Sequence, residues 1–413
     1  MQQARPDRRE RRSGLLLAGV LVLATVPTFA ARATCIEHGG GRPGSSDWCY
    51  TEIARLAVVE HVIDGRVPHI DPCPRGEATP CDEYPVLTMF PMWAAAQAGR
   101  SPTGTYLVAA IILLMSAALT TWLLWTVVGP RAFYFAAAPT LLMYGPLNWD
   151  LFAVAAMTAA AVLYLRGRHA TAGIAAGIGT AAKLMPGIAC APMTFSRDRA
   201  GDVVTSRRFA LAAVGAWLVV NIPLATIATH GWSEFFRYNE ARPVDVDSLW
   251  SVGCHVMLGH TPCGSTRIIN LLSAVLFIIG VIVVWRLRSG RDPATEPWTM
   301  GFAILAFFFL TSKVYSPQYD LFLLPWFALV LPDLKAFLAF EASGIVIFLT
   351  RFQGFLVPDL DLFHVAVAAR ALVLVVCVGI YVTGGVGDRE PSRVALTAEE
   401  EIPRRATAGG RTR

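Results

Sequence analysis

The sequence predicts an all-α polytopic membrane protein, and three observations predict it. Of the 413 residues, 54% are hydrophobic and only 16% charged, against roughly a quarter charged in ordinary soluble chains. The apolar residues gather in runs that reach the ~20 residues needed to cross a bilayer core. The basic residues, Lys+Arg 35 against Asp+Glu 30 for a formal net charge of +5, form short arginine clusters between those runs. That distribution excludes nucleic-acid binding, which needs a continuous basic stripe. The composition is also too apolar for a chain that stays unfolded in water.

Arg5, Arg8, Arg9, Arg11 and Arg12 precede an apolar run over 14–33, which places the N-terminus in the cytoplasm by the positive-inside rule. Ala31-Arg32-Ala33 resembles a signal-peptidase site, but the run exceeds the roughly 7–15 residues of a leader's apolar region, so a retained first span is expected. Further spans are expected over 104–128, 132–147, 150–165, 209–229, 268–286, 298–312, 319–332, 336–350 and 362–384. That makes ten, with both termini inside. The inner segments then hold Arg131, Arg166, Arg168, Arg197, Arg199, Arg207, Arg208, Arg286, Arg288, Arg291 and Lys335, as the charge rule requires. Residues 1–384 read as a single integral-membrane domain in the plasma membrane, with large first and second outer loops at 34–103 and 230–267. Residues 385–413 read as a disordered cytoplasmic tail.

Two apolar stretches do not fit as single spans. Residues 85–99 carry Pro85 and Pro91, and counting them as a crossing would put Arg166 and Arg168 outside; a re-entrant or interfacial helix is expected. Residues 170–195 have arginine clusters on both flanks and a Lys-Leu-Met-Pro break at 183–186, so they should enter and return on one side. They form either a re-entrant loop or two short spans, which would raise the count to twelve. Broken backbone at membrane depth is tolerated only where protein or a watery cavity surrounds it.

Six of the eight cysteines, Cys35, Cys49, Cys73, Cys81, Cys254 and Cys263, fall in the expected outer loops, while Cys190 and Cys377 lie in apolar segments. An even number on an oxidising face suggests disulfides. The short spacings pair Cys73 with Cys81 and Cys254 with Cys263, leaving Cys35 with Cys49. No spacing is of the close Cys-x-x-Cys type that zinc sites use, and no metal site is expected.

With the large loops outside and short arginine-rich links inside, an active site belongs on the outer face. Ser45-Ser46-Asp47-Trp48 precedes an amphipathic stretch with Ile53, Leu56 and Ala57 at helical spacing and Gly65 as its stop. Such a helix lies in the interface. Asp47 is either the cap of that helix or a general base at the membrane surface. Glu83-Tyr84-Pro85 opens the short 85–99 segment, as a site element or only a turn with an interfacial aromatic. Asn148-Trp149-Asp150 starts a span on the outer side, where Asp150 could be only an N-cap.

The lysines carry a stronger signal. There are three in the chain, and two of them, Lys183 and Lys313, lie within or at the edge of apolar segments; an intramembrane cation is a functional-site hypothesis by default. In Lys313-Val-Tyr-Ser-Pro-Gln318-Tyr-Asp320, a cation, phenols including Tyr315 and the Gln318 amide are gathered by a proline turn at headgroup depth, suited to a lipid phosphate. The bland reading is that Lys313 snorkels to the interface and that Lys183 props the helix break. There is no P-loop, no Rossmann glycine pattern and no His-Glu-x-x-His, so no cofactor is expected, although a divalent cation on a phosphate would be compatible with the chemistry.

The runs NWDLFAVAAMTAAAVLYLRGRHATAGIAAGIGTAAKLMP at 148–186 and TSKVYSPQYDLFLLP at 311–325 closely resemble signature segments of the glycosyltransferase family 87 membrane proteins of the C-type superfamily. SDW at 46–48 and EYPVLT at 83–88 are similar to that family's first outer loop. The resemblance implies the C-type glycosyltransferase fold and transfer of a sugar, mannose or arabinofuranose, from a polyprenyl-phosphate-sugar donor to an envelope glycolipid or glycan acceptor on the extracytoplasmic face. It also implies that Asp47, just after the first span, is the catalytic base. Asp64-Gly65-Arg66 and Pro68-His69 depart from the family's usual patterns, which bears on the acceptor more than on the reaction.

An inverting single displacement needs only one carboxylate. A glycosidase uses a second to protonate an alkoxide, whereas a polyprenyl phosphate leaves as a stable anion and needs cations or donors around it. Lys313, Tyr315 and Gln318 are expected to supply them, and Glu83, Tyr84, Asn148, Asp150 and Lys183 to bind or orient the donor. The alternative from another class is a flippase of lipid-linked sugars, which would also use buried lysines and broken helices. It would leave the large outer loop without a task, and the chain shows no internal repeat.

Overall fold

The computed structural model describes residues 8–37, 49–74, 81–195, 204–259, 264–293, 295–352 and 360–384, and every regular element among them is helical. Helix α1 (Arg8–Glu37) runs antiparallel to α4 (Pro102–Val128): a Cβ on Gly14 would lie 3.6 Å from the Trp125 indole and, toward the other end, Phe29 stacks on Tyr106. Between them come α2 (Glu52–Val59) and α3 (Val86–Gly99). Among the described residues five stretches are long and apolar enough to cross a membrane: Arg12–Glu37, Pro102–Ala136, Thr205–Ile227, Thr266–Arg291 and Leu360–Thr383.

Helix α2 differs from its expected form at both ends. Its N-cap is Thr51, whose hydroxyl accepts from the Ile53 N–H, and its C-cap is Glu60. Gly65 serves instead in the following turn at φ +95, a left-handed conformation that glycine adopts without steric cost. Helix α3 begins and ends against the same loop: Asp82 and Glu83 just before it donate their N–H groups to Glu60, and Gln97 near its end donates to Val62 O. It then turns into α4 where Gly99 and Gly104 touch so closely that a Cβ on either would lie about 2 Å from the other's backbone.

The expected span over 132–147 is two short helices, α5 (Phe133–Ala136) and α6 (Pro139–Tyr144). Pro139 is the reason, because the residue before a proline is driven out of the helical region and Ala138 is extended. Beyond them α7 (Asp150–Leu165) starts and stops at the expected residues. Helix α8 (His169–Ala182) then runs to Lys183, whose backbone is extended, and α9 (Leu184–Cys190) folds back so tightly that a Cβ on Gly179 would press on Pro186. Residues 191–195 continue from α9 against α10 (Val204–Ile227) and the turn over Pro297–Met300. Lys183 is therefore the tip of a helical hairpin.

Helix α8 packs on α10 through Gly173 and Gly177, where a Cβ would meet the Phe209 and Ala213 carbonyls at 2.2 Å. Small residues that let backbones approach are how membrane helices associate. The remaining helices are α11 (Thr229–Ala241), α12 (Leu249–Leu258), α13 (Thr266–Arg291), α14 (Gly301–Thr311), α15 (Leu324–Leu329), α16 (Leu334–Phe352) and α17 (Leu360–Thr383). The expected span at 319–332 is likewise interrupted, as a 3-10 turn over Pro317–Phe322 followed by α15, with Pro317 and Pro325 each removing a backbone donor.

The bundle has two distinct ends. At one, Arg166 donates to Thr126, Phe195 meets Trp285 edge to face, and Arg288 donates to Gly384 O; this is the arginine end. At the other, Cys35–Cys49 and Cys73–Cys81 are bridged, and Arg32 of α1 donates to Tyr50 O and Met143 O. Cys254 is disulfide-bonded as well, while Cys263 falls outside the described residues. Cys190 and Cys377 are free and buried, as their apolar settings predict.

Candidate active site

The site lies at the bridged end, where four segments meet. The first is the start of α2. Thr51 donates to Pro146 O and the Glu52 N–H donates to Leu147 O at 2.9 Å, so α2 is fixed to the residues that lead into α7. The second is 82–85. Glu60, 1% exposed, accepts from two backbone N–H groups there, and Arg66 holds Asp82 through both carboxylate oxygens. These bonds set Glu83 and Tyr84 in place.

The third segment is the pair of α7's first residue and the hairpin tip. Asp150 does not cap its helix; it is 1% exposed and forms an ion pair with Lys183 across the bundle. The Lys183 Nζ sits 5.1 Å from the Tyr84 ring centroid and 4.8 Å from that of Tyr319, distances at which a cation is attracted to a ring face. The fourth runs from α11 to the 313–320 loop. Tyr238 lines the same wall as Glu83, Arg242 pairs with Asp245 at 2.7 Å, the Asp245 N–H donates to Lys313 O, and the Lys313 Nζ donates to Glu240 O at 3.0 Å.

The last three of these segments line a cavity of about 340 Å³, within the range of small-ligand sites. Its polar wall carries Glu83, Tyr84, Lys183, Arg242, Lys313, Tyr238 and Tyr319, and its apolar wall Leu184, Phe235, Phe236 and Phe308. A second apolar groove of about 220 Å³ shares Pro85, Leu184, Phe235 and Phe236 with it and extends along Thr180, Trp217 and Trp232. Three cations thus line one cavity that shares an apolar wall with a neighbouring groove. The electrostatics reflect that crowding. Burial pushes the Glu83 carboxyl up, against the pull of Arg242 and Arg55. Burial and the neighbouring Arg242 lower Lys313. Burial alone would lower Arg242, but Tyr319, Asp245 and Tyr238 outweigh it and hold the guanidinium charged.

Of the residues singled out from sequence, Glu83, Tyr84, Lys183 and Lys313 line the cavity. Asn148 and Asp150 stand directly behind it, bonded to Tyr84 and Lys183 respectively. Tyr315 turns the other way. Its hydroxyl donates to Asp320 at 2.6 Å, and the Arg370 guanidinium lies 3.7 Å from its ring centroid. Gln318 is buried and is not among the lining residues. Asp47 lies outside the described residues; the N-cap of α2 is Thr51. Sequence reasoning did not single out Glu52, Arg242 or the α11 aromatics. Arg242 sits in a polar stretch where an arginine is unremarkable; only the rarity of lysine made Lys183 and Lys313 stand out.

The bundle and its cavity define a class, the helical membrane enzymes that hold a polar reaction site at one end of their spans. Within it, the sequence profile of glycosyltransferase family 87 matches residues 84–317, more than half of the chain, and the chain belongs to that family. It is a membrane glycosyltransferase. The matched region takes in Tyr84, Asn148, Asp150, Lys183, Arg242 and Lys313. Among solved structures, the chain is similar to ArnT from Cupriavidus metallidurans bound to undecaprenyl phosphate, at 15% identity over 94% of this chain and 80% of that one, with a TM-score of 0.46. No curated protein matches the chain.

Proposed function

We propose that this glycosyltransferase takes its sugar, mannose ahead of arabinofuranose, from a polyprenyl monophosphate donor and adds it to an envelope glycolipid or glycan on the extracytoplasmic face of the plasma membrane. The observation that carries the reading is the convergence of Lys183, Arg242 and Lys313 on one cavity that shares a wall with an apolar groove. A phosphate has counter-charges at the polar wall, and an isoprenoid tail attached to it has the groove.

In this reading the acceptor oxygen attacks the anomeric carbon as the bond from that carbon to the phosphate oxygen breaks. The acceptor's proton passes to Asp47, and the leaving phosphate keeps the bonding pair as an anion stabilised by the three cations. The step inverts the anomeric centre and calls for no nucleotide, while a divalent cation on the phosphate would be compatible with it. The disulfide-bridged end belongs on the oxidising side of the membrane and the arginine end, with both termini, on the cytoplasmic side. The test is transfer of labelled sugar from polyprenyl-phosphate-mannose and polyprenyl-phosphate-arabinose by membranes carrying the full chain. Transfer from one donor is expected; background from both, with the protein folded, would reject the reading in favour of a flippase.

A further inference from the structure

Glu52 does not line the cavity, yet two parts of the site, Asn148 and Tyr84, meet on its half-buried carboxylate. The Asn148 Oδ1 accepts the Trp149 N–H at 2.6 Å, and this fixes the amide: its NH2 group must face Glu52 and Tyr84. One of its hydrogens goes to Glu52 Oε2, the other to the Tyr84 oxygen at 2.6 Å. The phenol, already an acceptor, turns its own O–H toward the same Glu52 Oε2 at 3.4 Å. Two donors therefore share one carboxylate oxygen, and protonation would take away the charge that makes it a strong shared acceptor and, on that oxygen, add a competing O–H. The Tyr84 ring in turn supports Lys183.

The groups facing Glu52 come from every neighbouring element. Glu83 from the 82–85 strap and Asp150 from α7 disfavour its charge, while Lys183 from the hairpin tip and Arg242 from the end of α11 favour it. Tyr50, just before α2, and Tyr238 of α11 also lie within its field. Burial first, then Glu83, pushes the Glu52 carboxyl up to about 7.

We propose that ionised Glu52 is a positioning residue: it clamps Asn148 and Tyr84 into one hydrogen-bonded unit on which Lys183 rests, and its protonation releases that unit and sets the acid limb of the reaction. The proposal deepens the glycosyl-transfer reading and rests on it. Sugar transfer by the full chain in membranes, measured between about pH 5.5 and 8.5 with wild type, Glu52→Gln and Glu52→Asp, tests it. Wild-type kcat should fall as the pH drops below about 7. Glu52→Gln should lower kcat by about 10- to 100-fold, the loss of a charged hydrogen-bond acceptor, leave donor KM within about twofold and flatten the acid limb. Glu52→Asp should restore the limb. An unchanged limb in Glu52→Gln, or a loss confined to KM, overturns the proposal.

Thermal unfolding of the same purified proteins separates this role from misfolding. Because burial raises the carboxyl, its ionised form costs stability, and wild type should lose stability relative to Glu52→Gln as pH rises from about 4.5 to 7. Parallel pH curves would show that Glu52 does not titrate there. If no protein, wild type included, transfers sugar, the glycosyl-transfer reading fails, while the unfolding comparison still decides the behaviour of Glu52.

Discussion

Lys183→Met separates a catalytic cation from a structural one. The lysine is paired with Asp150, which is 1% exposed, and removing one partner of a buried pair typically costs about 3–5 kcal/mol because the other charge is left uncompensated. The single variant should therefore unfold at markedly lower temperature. Removing both charges in Asp150→Asn/Lys183→Met should recover roughly half of that loss or more, since a neutral pair carries no stranded charge. Activity should behave differently. If Lys183 stabilises the leaving phosphate, its loss costs about 10²- to 10³-fold in kcat, the usual effect of deleting one preorganised donor, and the double variant should remain equally slow. Unfolding in detergent and transfer in membranes, measured on wild type, both single variants and the double, close the cycle. Transfer that returns together with stability in the double variant would refute the reasoning, for Lys183 would then only neutralise Asp150.

Asp47→Asn should lower kcat by about 10²- to 10⁴-fold, the range for loss of a positioned base, with little change in unfolding temperature; near-normal turnover would reassign the base. Gly177→Leu should separate α8 from α10, because even a Cβ there would lie 2.2 Å from Ala213 O, and a variant whose unfolding temperature matched wild type would contradict the packing. Glu60, pushed up to about 8 by burial and then by Glu83, holds its proton in the folded state through a pH range where the unfolded chain has lost it. Its contribution to stability is thus lost as pH rises from about 4.5 to 8, and Glu60→Gln should flatten that part of the stability curve. Identical curves for the two proteins would argue against it. Peptide mapping without reductant should find Cys73 joined to Cys81 and Cys35 to Cys49; free thiols at these positions would contradict the bridges.

What the sequence revealed followed from composition and rarity. Helix α7 could be placed from its apolar run and the polar Asn148–Asp150 before it, and the 183–186 break from a lysine and a proline inside an apolar stretch. What stayed hidden depended on direction. Tyr315 and Tyr319 stand four residues apart, but the 3-10 turn over Pro317–Phe322 sends Tyr319 to the cavity and Tyr315 to Asp320. Arg370, fully buried and bonded to the Asp247 and Tyr315 carbonyls, draws Tyr315 away. The rule that marks an intramembrane cation as functional applied to Arg370 as much as to Lys183, but one arginine among many does not draw the eye. Glu52 is the acidic first residue of an amphipathic helix, a position that says nothing of the partners it meets.

Arg32 gives the first helix a second duty. Its guanidinium reaches out of α1 to the carbonyls of Tyr50 and Met143, one just before α2 and the other on the approach to Asn148. An N-terminal helix of this kind is a tie-rod as well as an anchor. Exchanging residues 1–33 for a foreign cleavable leader, a routine step in making envelope proteins, would deliver the rest of the chain to the membrane with the brace on both sides of its reaction centre cut away.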